Sequence, residues 1–135
     1  MFEEELPLIK LFISHLERDD EEYQLFLSKL DKSQDFKWED TAVQDENSIE
    51  QIIEQMKPVN AVIILSGLIG KDELLLKRQI KAAQQLEKPI VVIRPYGLET
   101  VPFDLEGIAS EVVGWNTPCI VDAIQDSIYG NDGVL

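Results

Sequence analysis

Residues 59–66 read VNAVIILS, and this stretch decides the architecture of the chain. Apart from Asn60 and the closing Ser66, every position is apolar, with none of the alternation shown by a strand that has one face in water. An unbroken apolar run of this length marks a strand covered on both faces, as central strands of parallel sheets are. Such a strand needs a layer of helix above it and another below.

The flanking segments supply those layers. Before it, Ile49, Ile52, Ile53 and Met56 recur at helical spacing and stop ahead of Pro58, whose ring disfavours helix in the residue preceding it. After it, KDELLLKRQIKAAQQLEK (71–88) predicts a helix with Leu76, Ile80 and Ala83 on one stripe, and PIVVIR (89–94) a further strand. Toward the amino terminus, PLIKLFIS (7–14) reads as the first strand. RDDEEYQLFLSKLD (18–31) reads as a helix with Tyr23, Phe26, Leu27 and Leu30 on its apolar side. Asp19 or Asp20 is the expected N-cap, with acidic residues in the first turn suited to the helix dipole.

DFKWEDTAV (35–43) holds a short edge strand and a loop, and RPYGLETVP (94–102) is rich in turn residues. SEVVGW (110–115) offers a short last strand. Thr117 as N-cap with Pro118 at the first helical position then opens CIVDAIQDSIY (119–129), and GNDGVL (130–135) is a frayed tail. Strands alternating with helices give an α/β fold, and five of them suggest a flavodoxin-like parallel sheet in the order 2-1-3-4-5.

At 135 residues the chain is expected to be a single domain over 1–135, with 1–7 and 130–135 as tails. Twelve Lys plus Arg against 26 Asp plus Glu leave a formal charge of -14, which argues against nucleic acid and anionic membrane surfaces as partners. The lone Cys119 forms no internal disulfide, and the single histidine and single cysteine offer no His/Cys metal cluster. The apolar runs are too short to span a bilayer. The acidic start MFEEELPLIK is unlike a basic signal peptide, so a cytoplasmic location is expected.

In open parallel sheets ligands bind outside the carboxyl ends of the strands, near the point where strand order reverses. That edge collects Ser14 and His15 after strand one, Trp38 to Asp40 after strand two, Ser66 and Gly67 after strand three, Arg94 after strand four and Trp115 after strand five. Each alone is an ordinary strand-end residue, and it is the grouping that points to a site. LSGLIG (65–70) brings two glycines to a strand end but has neither a P-loop lysine nor G-x-G-x-x-G spacing. Trp38 and Trp115 offer planes on which a base or nicotinamide ring stacks. Cys119, near the start of the last helix, is expected to be buried packing. A phospho-receiver site is ruled out because strand three ends in Ser66 and no lysine follows strand five.

The stretches LFISH (11–15), DFKWEDTAV, VNAVIILSG (59–67), KPIVVIRPYGLETVP (88–102) and SEVVGWNTPCIVDAI (110–124) together resemble the prokaryotic TIR-like domain family. Within it they are most similar to the TIR-like subunit of Thoeris antiphage systems. The resemblance runs from Lys10 to about Ile128 and is most specific from Lys88 to Ile124. It implies a three-layer TIR-like fold and an enzyme that cleaves the nicotinamide glycosidic bond of NAD and, in signalling members, rearranges the ADP-ribose into a messenger for a separate effector. It implies no permanently bound cofactor, NAD or an ADP-ribose-like nucleotide as substrate, and self-association through TIR–TIR contacts.

By the same resemblance Ser14 and His15 line the ribose or phosphate side, and the segment with Trp38 and Asp40 stands in place of the BB loop. Ser66 and Gly67 form the strand-three edge. The family's catalytic glutamate lies on the helix after strand three, in a Trp-x-x-x-Glu pattern. The corresponding phrase here is LLKRQI (75–80), with Leu75 at the tryptophan position and Gln79 at the glutamate position. Glutamine carries no charge to stabilise an oxocarbenium-like transition state. Three accounts stay open: a natural loss of catalysis, a deliberate Glu-to-Gln change, or a register in which Glu73 or Glu87 takes the role. A non-catalytic TIR-like interaction or ligand-sensing module is the alternative.

Overall fold

The computed structural model describes residues 7–15, 19–42, 48–67, 72–96 and 105–130. Along the chain these form β1 (Leu8–Ile13), α1 (Glu21–Asp31), β2 (Lys37–Asp40), α2 (Ile49–Met56), β3 (Ala61–Leu65), α3 (Glu73–Gln85), β4 (Ile90–Ile93), a 3-10 turn (Leu105–Gly107), β5 (Glu111–Val113) and α4 (Thr117–Tyr129). The sheet is parallel throughout, in the order β2-β1-β3-β4-β5, as the alternation of strands and helices predicts. Strand order therefore reverses between β1 and β3.

β3 is dry on both sides. Ala61, Ile63 and Leu65 face a core completed by Tyr23, Phe26 and Leu30 of α1 and Ile120 and Ile124 of α4. Val62 and Ile64 face the other core, with Ile52 and Met56 of α2 and Leu75, Leu76, Ala82 and Ala83 of α3. The period-2 alternation of the strand thus sends successive residues into opposite helical layers.

Helix ends follow local chemistry. α2 starts on a capping box in which the Ser48 hydroxyl accepts from the Gln51 N–H while Gln51 Oε1 accepts from the Ser48 N–H, both at 3.2 Å. α3 starts on Asp72, whose Oδ1 accepts from Leu75 N at 3.0 Å. Asp20 holds the N-cap place of α1, with no side-chain cap bond.

Three expectations are corrected. The N-cap of α4 is Asn116, whose Oδ1 accepts from Cys119 N at 3.2 Å, so Thr117 is already helical. Cys119 is exposed rather than buried, because α4 turns Ile120, Val121, Ala123 and Ile124 to the core and leaves position 119 on the outer face. Trp38 does not follow the second strand but lies inside it, level with Ile9 of β1 and packed on the α1/α4 core. Residues 1–6 and 131–135 of the expected tails lie outside the described residues, as do 68–71 and 97–104. No helix among the described residues is long and apolar enough to cross a membrane.

Because both faces of β3 are dry, Ile63→Ala and Ile64→Ala, both fully buried, are each expected to cost about 2–5 kcal/mol of unfolding free energy. Urea titration checks this, and a loss confined to one of the two would mean that one face is wet.

Candidate functional site

The carboxyl edge is bound together by side chains that prolong the sheet beyond its last paired residues. At the end of β1, Ser14 N donates to Ile63 O at 2.9 Å and Ser14 Oγ accepts from Leu65 N at 3.0 Å. At the end of β3, Ser66 Oγ donates to Ile93 O at 2.7 Å. Both serines are buried, and each replaces a backbone partner that the neighbouring strand no longer supplies.

Asp40, the last residue of β2, carries the densest set of contacts. Its Oδ1 accepts from Ile13 N and from Ala42 N, both at 3.0 Å, and its Oδ2 accepts from the Tyr23 hydroxyl at 2.8 Å. Tyr23 in turn stacks flat on His15, with ring centroids 3.7 Å apart and planes 10° from parallel. His15 Nδ1 lies 2.8 Å from Ile13 O. A carbonyl only accepts, so Nδ1 carries the proton and, in the neutral ring, Nε2 is the acceptor. Nδ1 is also 4.0 Å from Asp40 Oδ2, too long for a hydrogen bond but close enough for attraction.

Burial pushes the Asp40 carboxyl above its ordinary 3.8, while the two backbone N–H groups, the Tyr23 hydroxyl and His15 pull the other way. Desolvation is the larger influence.

A second cluster joins α1 to β3. The Glu22 carboxylate lies against Gly67, in the space that a side chain at 67 would fill. The glycine lets the carboxylate lie close to the backbone, and a side chain at 67 would make Glu22 move aside. A third cluster closes the β4 and β5 ends. Arg94 N donates to Val113 O at 2.9 Å, and the Trp115 indole N–H donates to Arg94 O at 2.7 Å. The Trp115 ring meets Phe26 edge-on at 6.1 Å and Tyr96 at 5.4 Å. A cavity of 430 Å³ lies at this edge, lined by Glu21, Glu22, Leu25 and Tyr96.

The sequence-predicted residues therefore divide. Ser14, His15 and Asp40 come together, as do Ser66 with Gly67 and Arg94 with Trp115. Trp38 is remote from the edge for the reason given above. Gln79 is buried in the middle of the α3 stripe with Leu75, Leu76, Ala82 and Ala83, on the sheet face opposite α1 and about 10 Å along the helix from its cap. Neither proposed substitute stands near that place. Glu73 is exposed and paired with Lys77 at 3.1 Å, and Glu87 lies past the helix end at φ 55°. Among the described residues no group of three or more His, Cys, Asp or Glu is placed to hold a metal.

Sequence reasoning missed Tyr23, Glu22 and Tyr96 as edge residues. Only Tyr23 left a trace, since a phenol on a buried stripe needs a partner for its hydroxyl.

The Asp40 network makes a prediction in pH. With its folded pKa raised, Asp40 adds relative stability that is complete below the unfolded value and is lost as pH rises through the folded one. The stability of the native chain minus that of Asp40→Asn should therefore fall in urea titrations as pH rises above the ordinary Asp40 value of 3.8. A difference independent of pH would contradict it.

Residues 12–100, well over half of the chain, match the family described as Thoeris protein ThsB, TIR-like domain. No curated protein matches the chain. The matched span holds β2 to β4 and the last two residues of β1, with Ser14, His15, Asp40, Ser66, Gly67, Gln79 and Arg94, while β5, Trp115 and α4 follow it. The chain belongs to the Thoeris ThsB TIR-like domain family and is a TIR-like module of antiphage defence.

Proposed function

We propose that this module binds NAD or an ADP-ribose-like nucleotide at the carboxyl edge of its sheet and, with glutamine at position 79, holds the ligand without cleaving the nicotinamide glycosidic bond. The observation that carries the reading is Gln79 itself. The resemblance of LLKRQI to the family's Trp-x-x-x-Glu phrase assigns it to the catalytic glutamate's position, and it is buried in an otherwise apolar stripe. Cleavage at a glycosidic carbon builds positive charge on the ribose, and a nearby carboxylate lowers the energy of that state. A neutral amide donates to or accepts from a ribose hydroxyl but does not offset the charge. Messenger formation depends on that cleavage, so the module as it stands acts as a ligand sensor.

Topology supports that place of binding. Strand order reverses between β1 and β3, and ligands of open α/β sheets enter at that reversal. Ser14, Ser66 and Gly67 flank it. A second reading, an interaction module that takes no nucleotide and works through self-association, draws on a different observation. The hydroxyls of Ser14 and Ser66 and the Nδ1 of His15 are all engaged with main-chain groups.

Thermal unfolding with NAD and with ADP-ribose, together with chromatography of released nicotinamide, separates the readings. Either ligand should raise the melting temperature, since ligand at 100 times Kd adds about 2.7 kcal/mol. Only Gln79→Glu should release nicotinamide, and circular dichroism should show that variant folded despite a carboxyl buried among apolar side chains. Unchanged melting with both ligands would leave the interaction module, and nicotinamide release by the unaltered chain would overturn the non-cleaving assignment.

A further inference from the structure

Charge is unevenly spread over this acidic chain. Helix α3 holds three cations, Lys77, Arg78 and Lys81, against one carboxylate, Glu73, and so is net positive in a chain of formal charge -14. Helix α4 holds Asp122 and Asp126 and no basic residue. The two helices cover opposite faces of the sheet: α4 packs in the core that holds Ile63 and Leu65, and α3 in the core that holds Val62 and Ile64. Lys77, Lys81 and Asp122 are exposed and Asp126 is half-buried, so each helix turns its charge away from the sheet.

The spacing of these residues matches. On α3, Leu74 is 58% exposed, and Lys77 and Lys81 follow it by three and seven residues on the same outer stripe. On α4, Tyr129 is 62% exposed, and Asp126 and Asp122 precede it by three and seven. The two patterns are one pattern read in opposite directions. Laid antiparallel, two such helices bring Leu74 to Tyr129, Lys77 to Asp126 and Lys81 to Asp122 over about 10 Å of helix axis. Among the described residues neither Lys81 nor Asp122 has an ion-pair partner. Lys77 pairs with Glu73 at 3.1 Å, both side chains in water, which is a weak contact that a second carboxylate can share.

We propose that α3 of one copy docks antiparallel on α4 of a second copy, in the register Leu74 to Tyr129, Lys77 to Asp126 and Lys81 to Asp122. Because the two helices lie on opposite sheet faces, a docked pair leaves one α3 and one α4 uncovered, and further copies add head to tail. Elsewhere the acidic surface of one copy repels that of the next, so a contact built on the α3 cations is the one that gains from charge. The assignment names the contact surface of the self-associating module and rests on that reading of the function.

Sedimentation equilibrium of the full chain tests it. The mean mass of the unaltered chain should rise with concentration. Lys81→Asp and Asp122→Lys each set like charges face to face and should weaken association about tenfold. They move the net charge in opposite directions, so a shared loss separates the local contact from general repulsion. An equimolar mixture of the two variants should associate again, because the altered α3 of one then meets the altered α4 of the other with the charges exchanged. Association that survives both substitutions, or that the mixture fails to recover, would overturn this interface and leave self-association in place. A monomeric mass at every concentration would overturn both.

Discussion

A half-buried carboxylate organises the carboxyl edge of this protein. Asp40 accepts from main-chain donors on β1 and on the segment after β2, and from a phenol on α1, so three parts of the chain meet on one side chain. A buried carboxylate is costly unless hydrogen bonds surround it. Here each bond that offsets the cost also fixes something the site needs: the end of β1, the start of the loop after β2, or the first turn of α1. Tyr23 passes the constraint on by stacking against His15, and His15 returns it to β1 through Ile13 O. The bonds close a ring, and the loss of one member leaves polar groups buried without partners.

The same economy governs the rest of the edge. β3 is apolar from end to end, so it brings no reacting group of its own. The serines that follow β1 and β3 are used to continue strand pairing into the loops. Over the edge stand Glu22 against Gly67, and Tyr96 against Trp115. Gln79 fits the same economy. In the middle of a dry helical stripe, a neutral amide folds at lower cost than a carboxylate would.

The arrangement of strands was legible in the sequence because it rests on local patterns. The unbroken run from Ala61 to Leu65 required two helical layers, and the spacing of Tyr23, Phe26 and Leu30 or of Leu76 and Ala83 named the faces those helices bury. What failed was decided by single backbone positions or by distant partners. Asn116 and Thr117 are both competent caps, and only the start of helical backbone at Thr117 chooses between them. Cys119 sits amid apolar letters, yet the helical turn carries it to the outer face. β2 is a short edge strand of mostly polar residues, so its limits could not be read and Trp38 was placed past its end. Pairings such as Tyr23 with Asp40, or Glu22 with Gly67, arise from the fold and carry no periodic signal. The family resemblance supplied Gln79, which composition and periodicity would have passed over as one more helical glutamine.

His15 is the only histidine in the chain, so its imidazole can be observed without assignment ambiguity. A long-range proton–nitrogen correlation spectrum of uniformly labelled protein at neutral pH reports which ring nitrogen carries the proton. If Asp40, Tyr23 and His15 form the closed ring on which the edge depends, the free protein will show one neutral tautomer with the proton on Nδ1, and Asp40→Asn will disturb that signal. A ring protonated on Nε2, or one averaging between tautomers as in an unstructured peptide, would contradict an edge organised by Asp40.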